Sequence, residues 1–380
     1  MLRRIGALAL CFAAGSCAAA DLHWVGTWGC APQLTEARNL PPAPGLANHT
    51  LQQIVHTSIG GRPIRLRFSN EFGSEPVEMK MVSLALRGSD IARVIAFHGQ
   101  QSVMIPAGKA IVSDELNYDV APLTDYRLSI SFGNMSNTVV TGHPGSRSTS
   151  YLDTDRGARF FAHWYIFTGI DVVADASSAA IVILGDSITD GRGSDTDGNN
   201  RWTDNLARRL LQNSATHNVA VLNEGLGGNA VLSGGLGPPA VTRVDRDVLG
   251  QSSPRWLIVM EGVNDIGVAN SEVVANDLIA GYQRIIDTAR AHHIAVYGVT
   301  VLPFGKSMYD SPAHEAARQA VNAWIRARGN FDAVIDGDAA LRDPATPSIL
   351  LAAYDSGDHL HPDVAGYQKM AETIDLKLFQ

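Results

Sequence analysis

Near residue 175 the hydrophobic pattern of this chain changes period, and that break decides most of what it can fold into. From 21 to about 174, short apolar runs alternate with Gly, Pro, Asn and Asp. Ile64-Arg65-Leu66-Arg67-Phe68 alternates apolar with charged residues, the period-two signature of a half-buried strand. Val77 to Leu86, Arg93 to Phe97, Ser102 to Ile105 and Tyr126 to Phe132 also read as strands. Gly60-Gly61, Gly73, Pro106-Ala107-Gly108 and His143-Pro144-Gly145 read as turns. No long helical pattern interrupts them. The expectation for 21–175 is an all-β sandwich, jelly-roll-like.

From 176 onward the pattern becomes strand, helix, strand. Ala180–Leu184, Val219–Leu222, Trp256–Met260, Ile294–Val299 and Ala333–Ile335 are apolar runs of the kind buried in a parallel sheet. Between them, Trp202–Gln212, Ala240–Leu249, Ser271–Ala291 and Ala313–Arg328 read as helices, and a last helix follows from about Asp363 to Leu376. This alternation predicts a three-layer α/β/α, flavodoxin-like domain with a parallel sheet over 176–380. Asp171 to Ser178 reads as a tether between the two regions.

The first twenty residues read differently again. Arg3 and Arg4 precede the apolar stretch Ile5 to Ala14, and Ala18-Ala19-Ala20 follows. That is the layout of a secretory signal peptide cleaved after Ala20, which predicts a secreted or periplasmic protein. The apolar run is too short to span a bilayer. Ala14-Gly15-Ser16-Cys17 is a poor lipoprotein site, because Ala stands where a larger aliphatic residue is usual. After cleavage Cys30 is the lone cysteine, so no intramolecular disulfide is expected. The net charge of −8, without a basic cluster, argues against nucleic acid or an anionic membrane as partner. Oligomeric state is not legible.

Four motifs carry chemistry. Gly185-Asp186-Ser187 directly follows an apolar run, and Asp358-His359-Leu360-His361 lies near the chain end. Together they supply a nucleophile, a base and an acid to orient the base, the parts of acyl transfer through serine. On spacing alone His359 and Asp355 are alternatives to His361 and Asp358. Asn223 to Asn229 is glycine-rich, which lets backbone N–H groups approach a ligand, and Asn264 offers an amide donor at a strand end. A Gly-x-Ser-x-Gly elbow is absent from the sequence. His359 and His361 lack further ligands for a metal, His292-His293 reads as a solvated pair, and Asp195 to Asn199 reads as a substrate-lining or turn segment rather than a calcium loop. Trp24, Trp28, Trp164 and Tyr151 read as core aromatics before sugar-stacking ones. Cys30 is a weaker nucleophile candidate than Ser187.

In this order and spacing the motifs resemble those of the SGNH (GDSL-type) hydrolases. Ser187 matches the nucleophile, Gly228 the second-block glycine, Asn264 the third-block asparagine, and His361, with Asp358 three before it, the last block. Gly-Asp-Ser-Ile replaces Gly-Asp-Ser-Leu, an aliphatic exchange. The resemblance implies a triad of Ser187, His361 and Asp358. It also implies an oxyanion hole from the Ser187 and Gly228 N–H groups and the Asn264 side chain, with no metal or cofactor. Asn200-Arg201-Trp202, Glu261 to Gly267, Gln319 to Ile325, Trp24 to Trp28 and Arg67-Phe68-Ser69-Asn70 are similar to a secreted bacterial subgroup related to acetylxylan-esterase-like enzymes. That likeness implies short acyl esters of carbohydrate, acetyl above all, as substrates. The alternatives are a general carboxylesterase or lysophospholipase and, from another class, a carbohydrate-binding protein with an inactive hydrolase domain. Intact Ser187, Asp358 and His361 argue against the last.

Overall fold

The computed structural model describes residues 22–233, 235–269 and 273–380; the expected leader and the start of the helix expected from Ser271 lie outside them. Five parallel strands form the C-terminal sheet, in the order Val219–Gly225, Ala179–Gly185, Pro254–Met260, Ala295–Val299, Ala333–Ile335. Every residue of the second of these is buried, because the sheet is covered on both faces. Helices α1 (Ser187–Asp190) and α2 (Trp202–Gln212) precede the second strand in sequence. Then follow α3 (Ala240–Val244), α4 (Val263–Val268), α5 (Val274–Ala291), α6 (Pro312–Arg326), α7 (Gly337–Leu341) and α8 (Val364–Thr373). Where one helix is expected over 240–249, α3 instead passes into a π-turn, closed by the Gly250 N–H on Asp245 O at 2.9 Å. The first strand in sequence lies second in the sheet. The strand order therefore reverses between Ala179–Gly185 and Pro254–Met260, and ligands of open α/β sheets bind at the carboxyl ends beside such a reversal.

The residues before 175 form antiparallel sheets. One has the order His23–Gly29, Phe167–Ala174, Ile64–Asn70, Lys109–Val112. A larger one is centred on Thr50–His56, Asp125–Phe132 and Val77–Leu86. Their strands alternate as the sequence does: Tyr126, Leu128, Ile130 and Phe132 are buried, and so are Ile64, Leu66 and Phe68. One hydrophobic core runs from these residues into the parallel sheet.

Strand His23–Gly29 lies against the edge strand Val219–Gly225. The approach is close enough that a Cβ on Gly26 would meet Leu222 Cδ1 at 2.8 Å. The Gly26 N–H donates to Ser252 O at 3.1 Å, and Ser58 Oγ accepts the Val221 N–H at 3.1 Å. A sheet edge that would otherwise expose unpaired backbone is thus covered.

The tether expected over 171–178 is shorter. Asp171 to Ala174 belong to strand Phe167–Ala174, and only the residues after them bridge to the parallel sheet. The reason is a buried charge. The Asp171 carboxylate accepts from Arg65 Nε at 2.8 Å and Arg67 Nε at 2.9 Å, and both guanidinium groups continue to Ser252 Oγ. Removing one partner of a buried ion pair leaves the other uncompensated. Asp171→Ala is expected to lower unfolding free energy by about 3 kcal/mol, read by chemical denaturation; a change within error would show that the clasp contributes nothing.

Candidate active site

The strand Ala179–Gly185 ends where Asp186 accepts the Ile188 N–H at 2.9 Å and caps α1. Ser187 is the first residue of that helix, so its N–H has no intrahelical acceptor. Gly191, at φ 102°, ends the helix after one turn. Ser187 Oγ lies 2.8 Å from His361 Nε2, and His361 Nδ1 lies 2.7 Å from Asp358 Oδ2. Asp358 Oδ1 accepts the backbone N–H groups of His361 at 2.9 Å and Leu360 at 3.1 Å, which fixes the carboxylate to the turn that carries the histidine.

The neighbouring pair is separate. Asp355 accepts the Gly357 and His359 N–H groups and meets His359 Nδ1 at 2.5 Å. His359 sits at φ 60° with its side chain half-exposed, and neither residue lines the cleft. Asp355 shapes the turn, and Asp358 and His361 face Ser187.

Asn264 is in α4, after the strand on the other side of the reversal. Its Nδ2 donates to Asn229 O at 2.7 Å and its Oδ1 accepts from Tyr309 OH at 2.9 Å, and among the described residues the second amide hydrogen has no partner. Gly228 has φ 73°, and among the described residues its N–H makes no hydrogen bond. The loop is held by Asn229, whose Nδ2 donates to Leu236 O and Pro238 O, and by Asp265, which accepts the Val231 and Leu232 N–H groups. Ser187, Gly228, Asn264, Asp358 and His361 line one cleft. This arrangement offers a hydroxyl with a base, and donors beside it for a developing negative charge.

Residues 183–369 match the family described as GDSL-like lipase/acylhydrolase. They form a GDSL-like lipase/acylhydrolase domain. The protein is an ester hydrolase. No curated protein matches the chain. Solved structures similar to it include the acetyl xylan esterase Axe2 from Geobacillus stearothermophilus, in a variant form, at 21% identity over 53% of this chain and 96% of that one, TM-score 0.42. A GDSL-like lipase from Bacteroides thetaiotaomicron VPI-5482 is 20% identical over 53% of this chain and 87% of that one, TM-score 0.40.

The environment of the GDSL-like site sets its charges. Burial pushes the His361 imidazole below its ordinary value, against the pull of Asp358. Burial opposes ionisation of Asp358, but the His361 backbone and ring and the Leu360 N–H outweigh it and hold that carboxyl at about 2. At neutral pH the pair is therefore carboxylate and neutral imidazole, the state a general base requires. Cys30 is buried, and burial raises its thiol well above the ordinary value, so it does not compete as a nucleophile. Among the described residues no group of three His, Cys, Asp or Glu could hold a metal ion. Trp28 and Trp164 are core residues in edge-to-face contact at 5.1 Å.

Three parts of the site escaped sequence reasoning. Tyr309, which orients Asn264, stands in a loop without periodicity. Arg243 lies beneath the cleft, fully buried, and its signal was present: it shares an apolar helical stripe with Ala240, Val244 and Val248. Arg147 enters the cleft from the N-terminal region.

Because burial lowers the His361 proton affinity, its neutral form persists to more acidic pH than a free histidine's. The acid limb of kcat/KM is expected to have its midpoint below 6.5. The Arg192 charge also lowers it, so Arg192→Gln is expected to move the midpoint upward. A pH–rate profile with no shift, or one in the opposite direction, would remove Arg192 from this role.

Proposed function

We propose that the protein is a secreted serine esterase that removes short acyl groups, acetyl above all, from carbohydrate. The observation that carries the reading is the continuous chain from Ser187 Oγ through His361 to Asp358 at the carboxyl edge of the sheet. Ser187 Oγ attacks the ester carbonyl while His361 Nε2 takes its proton. Asp358 holds the ring and stabilises the imidazolium. The Ser187 and Gly228 N–H groups and Asn264 Nδ2 bind the oxyanion. His361 then protonates the departing alcohol, and water, activated by the same histidine, releases the acid from acyl-Ser187.

Support for a carbohydrate comes from the walls. Gln33, Glu36, Asn39 and Arg147 line the cleft from the N-terminal side, with Leu236 and Met308 among the apolar residues opposite. Hydroxyl-rich alcohols need such partners, whereas a long acyl chain needs apolar surface. In this reading, residues 21–175 are an accessory β-sandwich domain that supplies one wall. Export rests on the leader pattern at 1–20.

The test is acetate release from acetylated xylo-oligosaccharides by the mature protein. Release by the wild type, and none by a Ser187→Ala variant with an unchanged melting temperature, is expected. Release by both would refute the nucleophile; release from neither, with turnover of lysophospholipids, would move the substrate to lipid. Asn264→Ala is expected to lower kcat by about 100- to 1000-fold with little change in KM. A raised KM at normal kcat would instead make Asn264 a ground-state binding residue.

A further inference from the structure

Among the described residues Arg147 is the one arginine that is not exposed and whose guanidinium has no hydrogen-bond or ion-pair partner. Its Nε is fully buried and unpaired. Other half-buried arginines are committed: Arg208 to Asn199 O, Arg127 to Ser89 O, and Arg65 and Arg67 to Asp171. Partial burial of an unpaired cation costs solvation without a Coulombic return.

The backbone under Arg147 is also unfavourable. It sits at φ 47°, left-handed for a residue with a Cβ, and is kept there from the α/β side. The Asp197 N–H donates to Arg147 O at 2.9 Å, while the Asp197 carboxylate accepts the Thr149 N–H at 2.8 Å and the Thr149 hydroxyl at 2.6 Å. Arg201 donates to the carbonyl of Ser146. The loop is pinned on both sides of one residue, and that residue lines the cleft with Ser187 and His361.

The carboxylates of the same cleft do not neutralise it. Glu36 accepts from Gln33 Nε2 at 2.6 Å and Asn39 Nδ2 at 2.9 Å. Asp190 Oδ1 faces His143 Nε2 at 3.0 Å, and Asp358 serves His361, with Arg192 Nε 3.8 Å away. Arg147 is also within electrostatic reach of the reacting base, since its charge contributes to the lowered proton affinity of His361.

We propose that Arg147 anchors an anionic group of the substrate, so that the esters this cleft prefers are acylated sugars bearing a carboxylate or phosphate. This rests on the serine-esterase reading and names the substrate class for it. A guanidinium offers a planar fork of donors that matches either anion bidentately, and the arriving charge supplies the partner that the free protein lacks.

The experiment compares kcat/KM on three acetylated probes that differ only at carbon 6: methyl glucoside, methyl glucuronoside and methyl glucoside 6-phosphate. The wild type is expected to prefer at least one anionic probe over the glucoside by about tenfold or more. In Arg147→Gln that ratio is expected to fall to near one, and in Arg147→Lys, which keeps the charge but loses the fork, to an intermediate value. Which anion is preferred separates sugar acid from sugar phosphate. A role limited to shaping the loop would lower all three rates together and leave the ratio, and that result overturns the assignment. So does a wild type that cleaves the glucoside as fast as the anionic probes: Ser187-dependent turnover would then leave the esterase standing and remove the anion site. No Ser187-dependent turnover of any probe, or of acetylated xylo-oligosaccharides, would defeat both.

Discussion

The buried guanidinium of Arg243 ties together the elements that carry Ser187, Gly228 and Asn264. Its Nε donates to Asn229 Oδ1 at 3.0 Å. One terminal nitrogen donates to Glu224 O at 2.7 Å and Asp247 Oδ2 at 3.0 Å, and the other to Gly185 O at 3.0 Å and Glu261 Oε1 at 3.1 Å. All five donors are used. Gly185 precedes the Asp186–Ser187 turn, Glu224 lies in the strand before the Gly228 loop, and Glu261 precedes α4. Asn229 passes the constraint on, because its carbonyl is the acceptor for Asn264 Nδ2. A single cation therefore sets the separation of the Ser187, Gly228 and Asn264 segments. Burial raises Glu224 and Glu261 well above ordinary carboxylates and Asp186 to about 7, and in each case the Arg243 charge works against that rise. Without it, Glu261 would lose the ion pair that opposes its desolvation, and Asp186 and Glu224 would keep only the Ile188 N–H and the more distant Arg246 and Arg67.

The N-terminal region acts on the same machinery from the other side. His143 bridges Ala31 O and the Asp190 carboxylate, and Arg201 Nε holds Asp190 O, so the short helix that begins with Ser187 is fixed at its far end by residues of both regions. A four-residue helix has too few internal bonds to be stable alone. Its rigidity comes from these external partners and from the close seat of Gly225, where a Cβ would lie 2.4 Å from Asp190 N. The sheets before 175 thus hold the helix that begins with Ser187 as well as lying beside it.

Much of this was readable from sequence, for a physical reason. A strand buried on both faces must be a continuous apolar run, and its end must show polar or glycine residues; Ala179–Gly185 and Pro254–Met260 satisfy both, so Ser187 and Asn264 could be placed. The same rule concealed His23–Gly29 and Phe167–Ala174. Packed between the β core and the parallel sheet, they lose the alternation that marks a half-buried strand, and glycines at 26, 29 and 169 resemble loop. Asp171 looked like linker because a carboxylate is seldom core, and the compensating Arg65 and Arg67 lie a hundred residues away. Spacing could not choose between Asp355–His359 and Asp358–His361, since both fit a tight turn. The choice is made by the contact with Ser187: His361 Nε2 lies 2.8 Å from Ser187 Oγ, while His359 pairs with Asp355.

The two hidden arginines show what separates a structural charge from a functional one. Arg243 is fully buried, while Arg147 is half-buried with its Nε closed off from water, so each loses hydration that a partner would replace. For Arg243 every donor is satisfied within the chain, so the guanidinium is a fixed part of the scaffold and has no capacity left for a ligand. For Arg147 no donor is satisfied, yet its backbone is held in a disfavoured conformation by Asp197, with Arg201 on the adjoining carbonyl. Constraint from both sides with no internal partner is difficult to account for by folding stability, since a glycine at 147 would relieve the backbone and a neutral side chain the desolvation. The arrangement leaves an oriented donor fork beside Ser187, whose missing partner can arrive only with what the cleft binds.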